Sequence, residues 1–245
     1  MSQTTLTRAL SVVDEVSKHP DGMRFSRIKT FLGNPSPTTV TKILRELSAM
    51  DVLAKNSGGA YVLGVKTYFW GKAAATRHGM MQTIREEMKQ LNEELNVSIN
   101  LLTCSGGTVF CLESFMAPQS PSMWRGGQSL DLELPVIGSI FFYPADQLEE
   151  SRFLASELEK HGEAIPLARV EQMIKESWNS GLQDDFALFY PGARRFAVPI
   201  RENNHIVMVL GLGILEARLS KPGLLETILD RLMAVKVRIE EEISS

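Results

Sequence analysis

Cysteine and histidine are scarce in this sequence, and long apolar runs are missing. The 245 residues include two cysteines, Cys104 and Cys111, and four scattered histidines, which are too few for a disulfide framework and form no recognisable set of metal ligands. No run approaches the roughly 18 apolar residues that span a bilayer, and the N-terminus lacks a signal-peptide core. We therefore expect a cytoplasmic protein without a metal, a cofactor or a membrane partner.

The charged residues are divided unevenly along the chain. Residues 1–80 hold 11 Lys and Arg against 5 Asp and Glu, a net charge of +6, whereas residues 81–245 hold 15 against 24, a net charge of −9. The chain is longer than a usual single domain, and its 44% of hydrophobic residues allows real cores. A basic N-terminal domain attracts polyanions that the acidic remainder repels, so contact with nucleic acid is expected in the first third.

Residues 36–47 have the pattern of a short helix with one apolar and one polar face. Ser36 can accept a hydrogen bond from a free amide as the N-cap, and Pro37 suits the first helical position. An apolar stripe at helical spacing follows, formed by Val40, Ile43, Leu44 and Leu47. The outward side chains suit phosphates and base edges in a major groove, and they are Thr38, Thr39, Thr41, Lys42 and Arg45. The pattern is typical of a DNA recognition helix, although a solvated face without a partner is the simpler alternative.

The flanking segments complete a winged helix-turn-helix. A first helix over residues 5–18 is expected to bury Leu6, Ala9, Leu10, Val13 and Val16, and a second, capped by Ser26, ends at Gly33. After the third helix, strands at 52–55 and 60–63 flank Asn56-Ser57-Gly58-Gly59, which is a hairpin signal. Further contacts to DNA are expected from Ser36 and from three cations near the helix and on the wing, Arg8, Arg27 and Lys55.

The remaining two thirds of the chain alternate between helix and strand patterns. Residues 65–78 predict an aromatic-rich helix, in which we expect Tyr68, Phe69 and Trp70 to contact a second subunit. Further helices are predicted at 81–96, 136–143, 150–161 and 167–180, with a final one capped by Ser220. Strands are predicted at 97–104, 108–115, 187–190, 194–200 and 206–214. This order indicates an α+β domain with a mostly antiparallel sheet.

Four segments together resemble the IclR family of bacterial transcriptional regulators. Leu6-Thr7-Arg8-Ala9-Leu10 is similar to the opening helix of that family, and Thr39-Val40-Thr41-Lys42-Ile43-Leu44 with Leu47 is similar to its recognition helix. Tyr61-Val62-Leu63-Gly64 resembles the end of its wing. Residues 191–200, PGARRFAVPI, resemble the segment that leads into a central strand of its effector domain. The resemblance covers nearly the whole chain.

The resemblance implies a DNA-binding winged helix-turn-helix domain at residues 1–64, a linker helix at 65–79 and a GAF-like effector-binding and oligomerisation domain at 80–245. Proteins of this family act as dimers or dimers of dimers on operator DNA, as regulators rather than enzymes. Small organic acids or aromatic compounds typically bind the second domain and change the affinity for DNA. Two modules held by a dimer would read half-sites about 34 Å apart, or a multiple of it.

The family's ligand pocket can be placed on this sequence residue by residue. The helix start that binds a carboxylate resembles Gly138-Ser139-Ile140, since backbone amides there favour anions, and the pocket aspartate corresponds to Asp185. Three positions differ from the family pattern, because Arg195 replaces a frequent cysteine, and Gly211 and Gly213 replace polar serines. We expect Arg195 either to bind a ligand carboxylate or to neutralise Asp185 in a filled pocket.

Met123, beside Trp124 in a loop, forms either a pocket lid or a hydrophobic plug.

Two other classes of function stay open. The second domain could be a thiol enzyme, because GAF-like folds include a sulfoxide reductase and Cys104 and Cys111 bracket a predicted hairpin, although no basic neighbour in sequence lowers either thiol pKa. The winged helix could also bind protein rather than DNA. Cysteines of low pKa would favour the enzyme, and failure to bind any duplex at any salt concentration would favour the protein-binding module.

Overall fold

The structure is a computed structural model, which describes residues 4–76, 79–121, 124–160 and 165–243. The chain divides into two compact units, Met1–Gly79 and Met80–Ser245, and each unit has its own hydrophobic core. None of the described helices is both long enough and apolar enough to cross a membrane.

Three helices and a two-stranded antiparallel hairpin form the first unit, and a fourth helix follows them. Their bounds are α1 Thr5–Ser17, α2 Phe25–Phe31, α3 Pro37–Ala49, β1 Leu53–Lys55, β2 Tyr61–Leu63 and α4 Val65–Thr76. The core joins α1, α2, α3 and β1 through Val12, Ile28, Ile43 and Leu53, each only 1% exposed. The order of helices and hairpin is that of a winged helix-turn-helix, as the sequence predicts.

The predicted buried face of α1 is only partly right. Val16 is buried and Ala9 and Val13 pack against the core as predicted, whereas Leu6 and Leu10 are 69% and 55% exposed and the unpredicted Val12 is buried. The helix carries apolar residues on two sides, so the spacing alone does not determine which side packs against α3. The predicted cap of α2 is also wrong, because Ser26 lies inside that helix, which begins at Phe25 without a side-chain cap.

A six-stranded sheet is the centre of the second unit. The strands are β3 Ser98–Ser105, β4 Thr108–Phe115, β5 Ser129–Asp131, β6 Gln183–Asp184, β7 Ala193–Glu202 and β8 His205–Leu215. Their spatial order is β5-β4-β3-β8-β7-β6, and every neighbouring pair is antiparallel. The helices are α5 Gly79–Leu95, α6 Ala145–Leu148, α7 Ser151–Glu159, α8 Leu167–Ser180 and α9 Leu224–Ile243. The α+β architecture with a GAF-like antiparallel sheet is therefore confirmed.

The alternation of side chains along β3, β7 and β8 gives the sheet two buried faces. Ile99, Phe196 and Leu212 point to the face that α5 and α9 cover. Leu102, Ala197 and Val209 point to the opposite face, which packs against α6, α7 and α8. Asn100 and Arg195 also belong to this second face by their positions in the strands, and they are polar exceptions among apolar neighbours.

Three predictions for the second unit are wrong. The helix predicted at 136–143 is only a short 3-10 turn, Ser139–Phe141, and the strand predicted at 187–190 is an irregular turn. Phe186 and Ala187 have φ angles of 48° and 53°, and a left-handed backbone cannot continue a strand. Ser220 ends a 3-10 turn, and α9 begins only at Leu224. The short elements β5, β6 and α6 have no counterpart among the predicted ones.

Candidate functional site

The polar face of α3 is the first candidate site, and it begins at a capped helix end. Ser36 Oγ accepts a hydrogen bond from the Thr39 amide at 3.3 Å and lies 2.9 Å from Thr39 Oγ1, with Pro37 at the first helical position. Thr39 is half-buried. The hydroxyls of Ser36 and Thr39 therefore hold the helix start and are less free for a partner than those of Thr38 and Thr41.

Four exposed side chains beyond the cap form one continuous surface. Thr38, Thr41, Lys42 and Arg45 line a shallow depression together with Pro37, and all are exposed. Within the described part of the chain, no acidic side chain pairs with either of the two cations. The opposite side of α3 is buried in the core. A rigid helix thus presents two hydroxyls and two cations, a set that suits phosphate oxygens and base edges.

The other three predicted cations are held in different ways. Lys55, on the wing strand β1, has its Nζ 5.0 Å from the centroid of the Tyr61 ring. Arg27 Nη2 lies 3.2 Å from His19 Nε2, and Arg8 is half-buried on α1. Because Lys55 and Arg27 are exposed, both can still reach a phosphate.

We expect Ser36→Ala to lower the free energy of unfolding of the first unit by about 1 kcal/mol, since it removes the side-chain cap of α3. Thr38→Ala is the matched control, because Thr38 is exposed beside the cap and its hydroxyl bonds none of the residues that the structure describes. Urea unfolding followed by far-UV circular dichroism measures the difference. Equal stability of the two variants would contradict the capping role of Ser36.

The second candidate site is a cavity of about 180 Å³ on the sheet face that packs against α6, α7 and α8. Its described walls are mostly apolar and consist of Leu102, Pro121, Trp124, Pro135, Ile137, Tyr190 and Ala193, with two polar residues, Asn100 and Arg195. In strand register, Asn100 lies opposite Gly211 and Arg195 lies opposite Gly213. A Cβ at Gly211 would lie 3.0 Å from Ile137 Cγ2, so glycine allows Ile137 to pack closely on the sheet. Gly211 and Gly213 on β8 thus lie between Asn100 on β3 and Arg195 on β7.

Arg195 is held in the cavity wall by an ion pair. Its Nε donates to Asp185 Oδ2 at 2.6 Å and its Nη1 to the Pro135 carbonyl at 2.8 Å, and its guanidinium carbon lies 4.4 Å from the Tyr190 ring centroid. Asp185 is fully buried and also accepts the backbone amides of Arg195 and Ala187, at 2.8 and 3.0 Å. Burial raises the pKa of the Asp185 carboxyl, and the charge and hydrogen bonds of Arg195 oppose that rise. Arg195 thus neutralises Asp185, while the cavity beside it stays open.

Asn100 is the second polar group of the cavity, and it is absent from the site predicted from the sequence. Its Nδ2 donates to the Trp124 carbonyl at 2.5 Å and lies 3.0 Å from Cys111 Sγ. Because a carbonyl can only accept, Nδ2 faces Trp124 and Oδ1 faces away. Asn100 Oδ1 and Arg195 Nη2 are both buried without a hydrogen-bond partner among the described residues. A lone amide within the apolar strand at 97–102 is the sequence signal that could have located this group.

The predicted carboxylate-binding segment is not among the residues that line this cavity. The Gly138 amide donates to Gln183 Oε1 at 2.8 Å, the Ser139 amide is bonded within the same turn, and Ile140 is fully buried. With its leading amides already bonded, this three-residue turn has no open N-terminus of the kind that binds anions. Met123, the predicted lid residue, lies outside the described residues.

Cys104 and Cys111 are the groups on which a thiol enzyme would depend. Burial raises the pKa of the Cys104 thiol and of the Cys111 thiol, so neither is held as a thiolate at neutral pH. Over the described ranges of the chain, no group of His, Cys, Asp and Glu side chains could hold a metal ion. Among the described residues, the cavity with Asn100 and Arg195 and the exposed face of α3 are the candidate functional sites.

The fold combines a winged helix-turn-helix unit with a GAF-like sheet unit. No family model and no curated protein matches the sequence. An IclR homologue from Microbacterium hydrocarbonoxydans, complexed with 4-hydroxybenzoate, is similar in structure with a TM-score of 0.74 and 15% identity, covering 98% of this chain and 99% of that one.

Two further solved structures show the same likeness. An IclR transcriptional regulator from Alicyclobacillus acidocaldarius has a TM-score of 0.71 and 17% identity, covering 99% of this chain and 100% of that one. The Thermotoga maritima IclR has a TM-score of 0.68 and 19% identity, covering 98% and 99%. The chain therefore has the fold of IclR-family transcriptional regulators over nearly its full length, and the resemblance found in the sequence is confirmed at the level of the fold.

Proposed function

We propose that this chain is an IclR-type, sequence-specific DNA-binding regulator of transcription, whose binding to operator DNA is modulated by a small organic ligand. The exposed face of α3, with Thr38, Thr41, Lys42 and Arg45, is the observation that carries the proposal. The net charge of +6 over residues 1–80 supports it, because a basic domain attracts DNA phosphates.

In this proposal each segment of the chain has its own role. Residues 1–64 bind DNA, residues 65–79 form a linker helix, and residues 80–245 bind the effector and oligomerise. The protein would work in the bacterial cytoplasm, where its operator is, and would catalyse no reaction. The raised pKa of both cysteine thiols agrees with this assignment, because a thiol enzyme needs a reactive thiolate.

The protein is proposed to act as a dimer or a dimer of dimers. On α4, Tyr68, Phe69 and Trp70 are 65%, 57% and 49% exposed, and such a group of large apolar side chains is typical of a surface that another subunit covers. Two copies of α3 in a dimer would read half-sites one helical turn apart, about 34 Å, or a multiple of it. A ligand that favours one spacing of the two copies would change the affinity for DNA.

The effector is proposed to occupy the cavity that Asn100 and Arg195 line. The sequence favours a carboxylate or an aromatic acid, and the IclR homologue from Microbacterium hydrocarbonoxydans is complexed with 4-hydroxybenzoate. Trp124 and Tyr190 in the cavity wall support a flat ligand, because aromatic rings pack well on flat apolar groups. Arg195 already forms an ion pair with Asp185, and this ion pair determines whether the cavity favours a charged or an uncharged ligand.

Selection of bound fragments from genomic DNA by the full-length chain tests the regulator role. We expect a small set of fragments with paired half-sites, whose affinity falls steeply with salt, with a slope of about −0.9 for each phosphate neutralised in a plot of log affinity against log salt. Genes beside these fragments would indicate the class of metabolite. Binding of no duplex at any salt concentration would overturn the proposal and favour a protein-interaction role for the winged helix.

A further inference from the structure

Two buried polar atoms without partners define what kind of ligand the cavity accepts. Arg195 and Asn100 are 8% and 1% exposed, and Arg195 Nη2 and Asn100 Oδ1 bond no described residue. Burying a polar atom without a hydrogen-bond partner is costly, and native proteins keep few such atoms. The cavity, about 180 Å³ in volume, has room for more than a single water, which needs about 10–15 Å³ by the same measure.

We propose that the cavity binds a small uncharged molecule that offers a hydrogen-bond acceptor to Arg195 Nη2 and a hydrogen-bond donor to Asn100 Oδ1, as a primary amide does. This inference rests on the proposed ligand-modulated function and specifies the chemistry of its effector. It departs from the carboxylate that the sequence favours.

The ion pair with Asp185 is the reason that the ligand is uncharged. Asp185 accepts three hydrogen bonds, two from the backbone amides of Ala187 and Arg195 and one from Arg195 Nε. Three donors directed at one carboxyl favour its ionised form, so Asp185 balances the charge of Arg195 within the wall. Arg195 is the one charged residue among the described residues that line the cavity. A ligand carboxylate would add a second buried anion beside a single cation, and an uncompensated buried charge is strongly disfavoured.

Both polar contacts are already fixed in position before a ligand arrives. Arg195 is held by Asp185, by the Pro135 carbonyl and by the ring of Tyr190. Asn100 is held through Nδ2 by the Trp124 carbonyl. Because neither side chain has to be reordered on binding, the hydrogen bonds to a ligand carry little entropic penalty.

Isothermal titration calorimetry of the full chain with matched pairs of ligands separates charge from shape. The pairs are benzamide with benzoate and 4-hydroxybenzamide with 4-hydroxybenzoate, each nearly constant in size. The amide is neutral and supplies both an acceptor and a donor, whereas the acid at neutral pH is an anion without that donor. We expect at least one amide to bind, and to bind at least about tenfold more tightly than its acid. An acid that binds as tightly as its amide, or no binding of either amide up to about 10 mM, would overturn the proposal.

Two variants test the residues that the proposal names. Asp185→Asn removes the balancing anion and keeps an oxygen that can accept the two backbone amides, so the ratio of the affinity for the acid to that for the amide should rise about tenfold or more. Asn100→Leu removes Oδ1 at similar volume and should lower the affinity for the amide about tenfold, but not that for the acid. Arg194→Lys is the matched control, because Arg194 bonds Asp184 and is not among the lining residues.

Thermal melting checks that each variant is folded. If Asp185→Asn does not fold, the comparison of amide and acid on the unchanged chain and the Asn100→Leu result still decide the outcome. If Asn100→Leu binds both the amide and the acid of a pair as tightly as the unchanged chain does, the assignment of Asn100 is overturned.

Failure of this inference and failure of the proposed function give different results. A chain that binds operator fragments and prefers benzoate to benzamide would still be a ligand-modulated regulator, with an anionic effector. A chain that binds benzamide but no duplex would keep the chemistry of the cavity and lose the regulator role.

Discussion

Replacing both Lys42 and Arg45 by alanine is expected to weaken operator binding by at least about 30-fold at physiological salt. Each cation lies on the exposed face of α3, and a hydrogen bond from such a side chain to a base or phosphate contributes roughly 1–3 kcal/mol. The dependence of the affinity on salt should weaken as well. The slope of log affinity against log salt concentration should become less steep by about 0.9 for every phosphate that is no longer neutralised. Fluorescence anisotropy titrations of the full chain at several salt concentrations measure both effects.

Lys18→Ala is the control for this double variant. Lys18 is exposed near the end of α1, lies 3.2 Å from Glu15 and is not among the residues that form the polar face of α3, so its loss should change the affinity by less than about threefold. The double variant should melt at the same temperature as the unchanged chain, because exposed substitutions of this kind have small effects on stability. Full DNA affinity in a folded double variant would contradict the role of α3 and would require another surface to hold the duplex.

The helix that carries this prediction could be located from the sequence because its determinants are local. The cap at Ser36, the proline at Pro37 and the apolar stripe that follows all favour the same helix start and the same buried face. The turn between β7 and β8 is equally local, since Asn203 and Asn204 have φ angles of 48° and 67°, which asparagine tolerates better than most residues.

The cavity could not be predicted in the same way. Its two polar atoms become buried without a hydrogen-bond partner only when distant segments pack together. Nothing in the sequence around Asn100 indicates that the distant Trp124 carbonyl accepts from Nδ2 and leaves Oδ1 unpaired. Gly138 has the sequence of an anion-binding helix start, yet the side chain of Gln183 occupies its amide. Such competition between a ligand and a distant side chain is decided by tertiary packing and leaves no periodic pattern.

The buried face of α1 shows the same limit on a smaller scale. Leu6 and Leu10 fit a helical stripe with Val16 as well as Val12 does, and only contacts with α3 and the hairpin select between them. Leu6 and Leu10 are left exposed, so the sequence extended the buried face to two residues that lie at the surface.

Removing one partner of the buried ion pair is expected to have the largest effect on stability. Arg195→Met keeps an unbranched side chain but leaves the fully buried Asp185 without its cation, and such losses typically cost about 3–5 kcal/mol. Adding Asp185→Asn should restore most of the stability, because its amide oxygen can still accept the backbone amides of Ala187 and residue 195 while no charge stays buried. Urea unfolding of both single variants and the double variant measures this coupling.

The pH dependence of Arg195→Met distinguishes the loss of a charge from the loss of packing. Burial raises the pKa of Asp185, and loss of the neighbouring cation should raise it further. A carboxyl whose pKa is higher in the folded than in the unfolded state lowers the free energy of unfolding at every pH at which the unfolded carboxyl is ionised. This penalty vanishes below the unfolded-state pKa of about 3.9. The stability gap between the unchanged chain and the variant should therefore narrow as the pH falls from 7 towards 4. A gap that stays constant over this interval would assign the loss to apolar contacts of the arginine stem, because such contacts do not titrate.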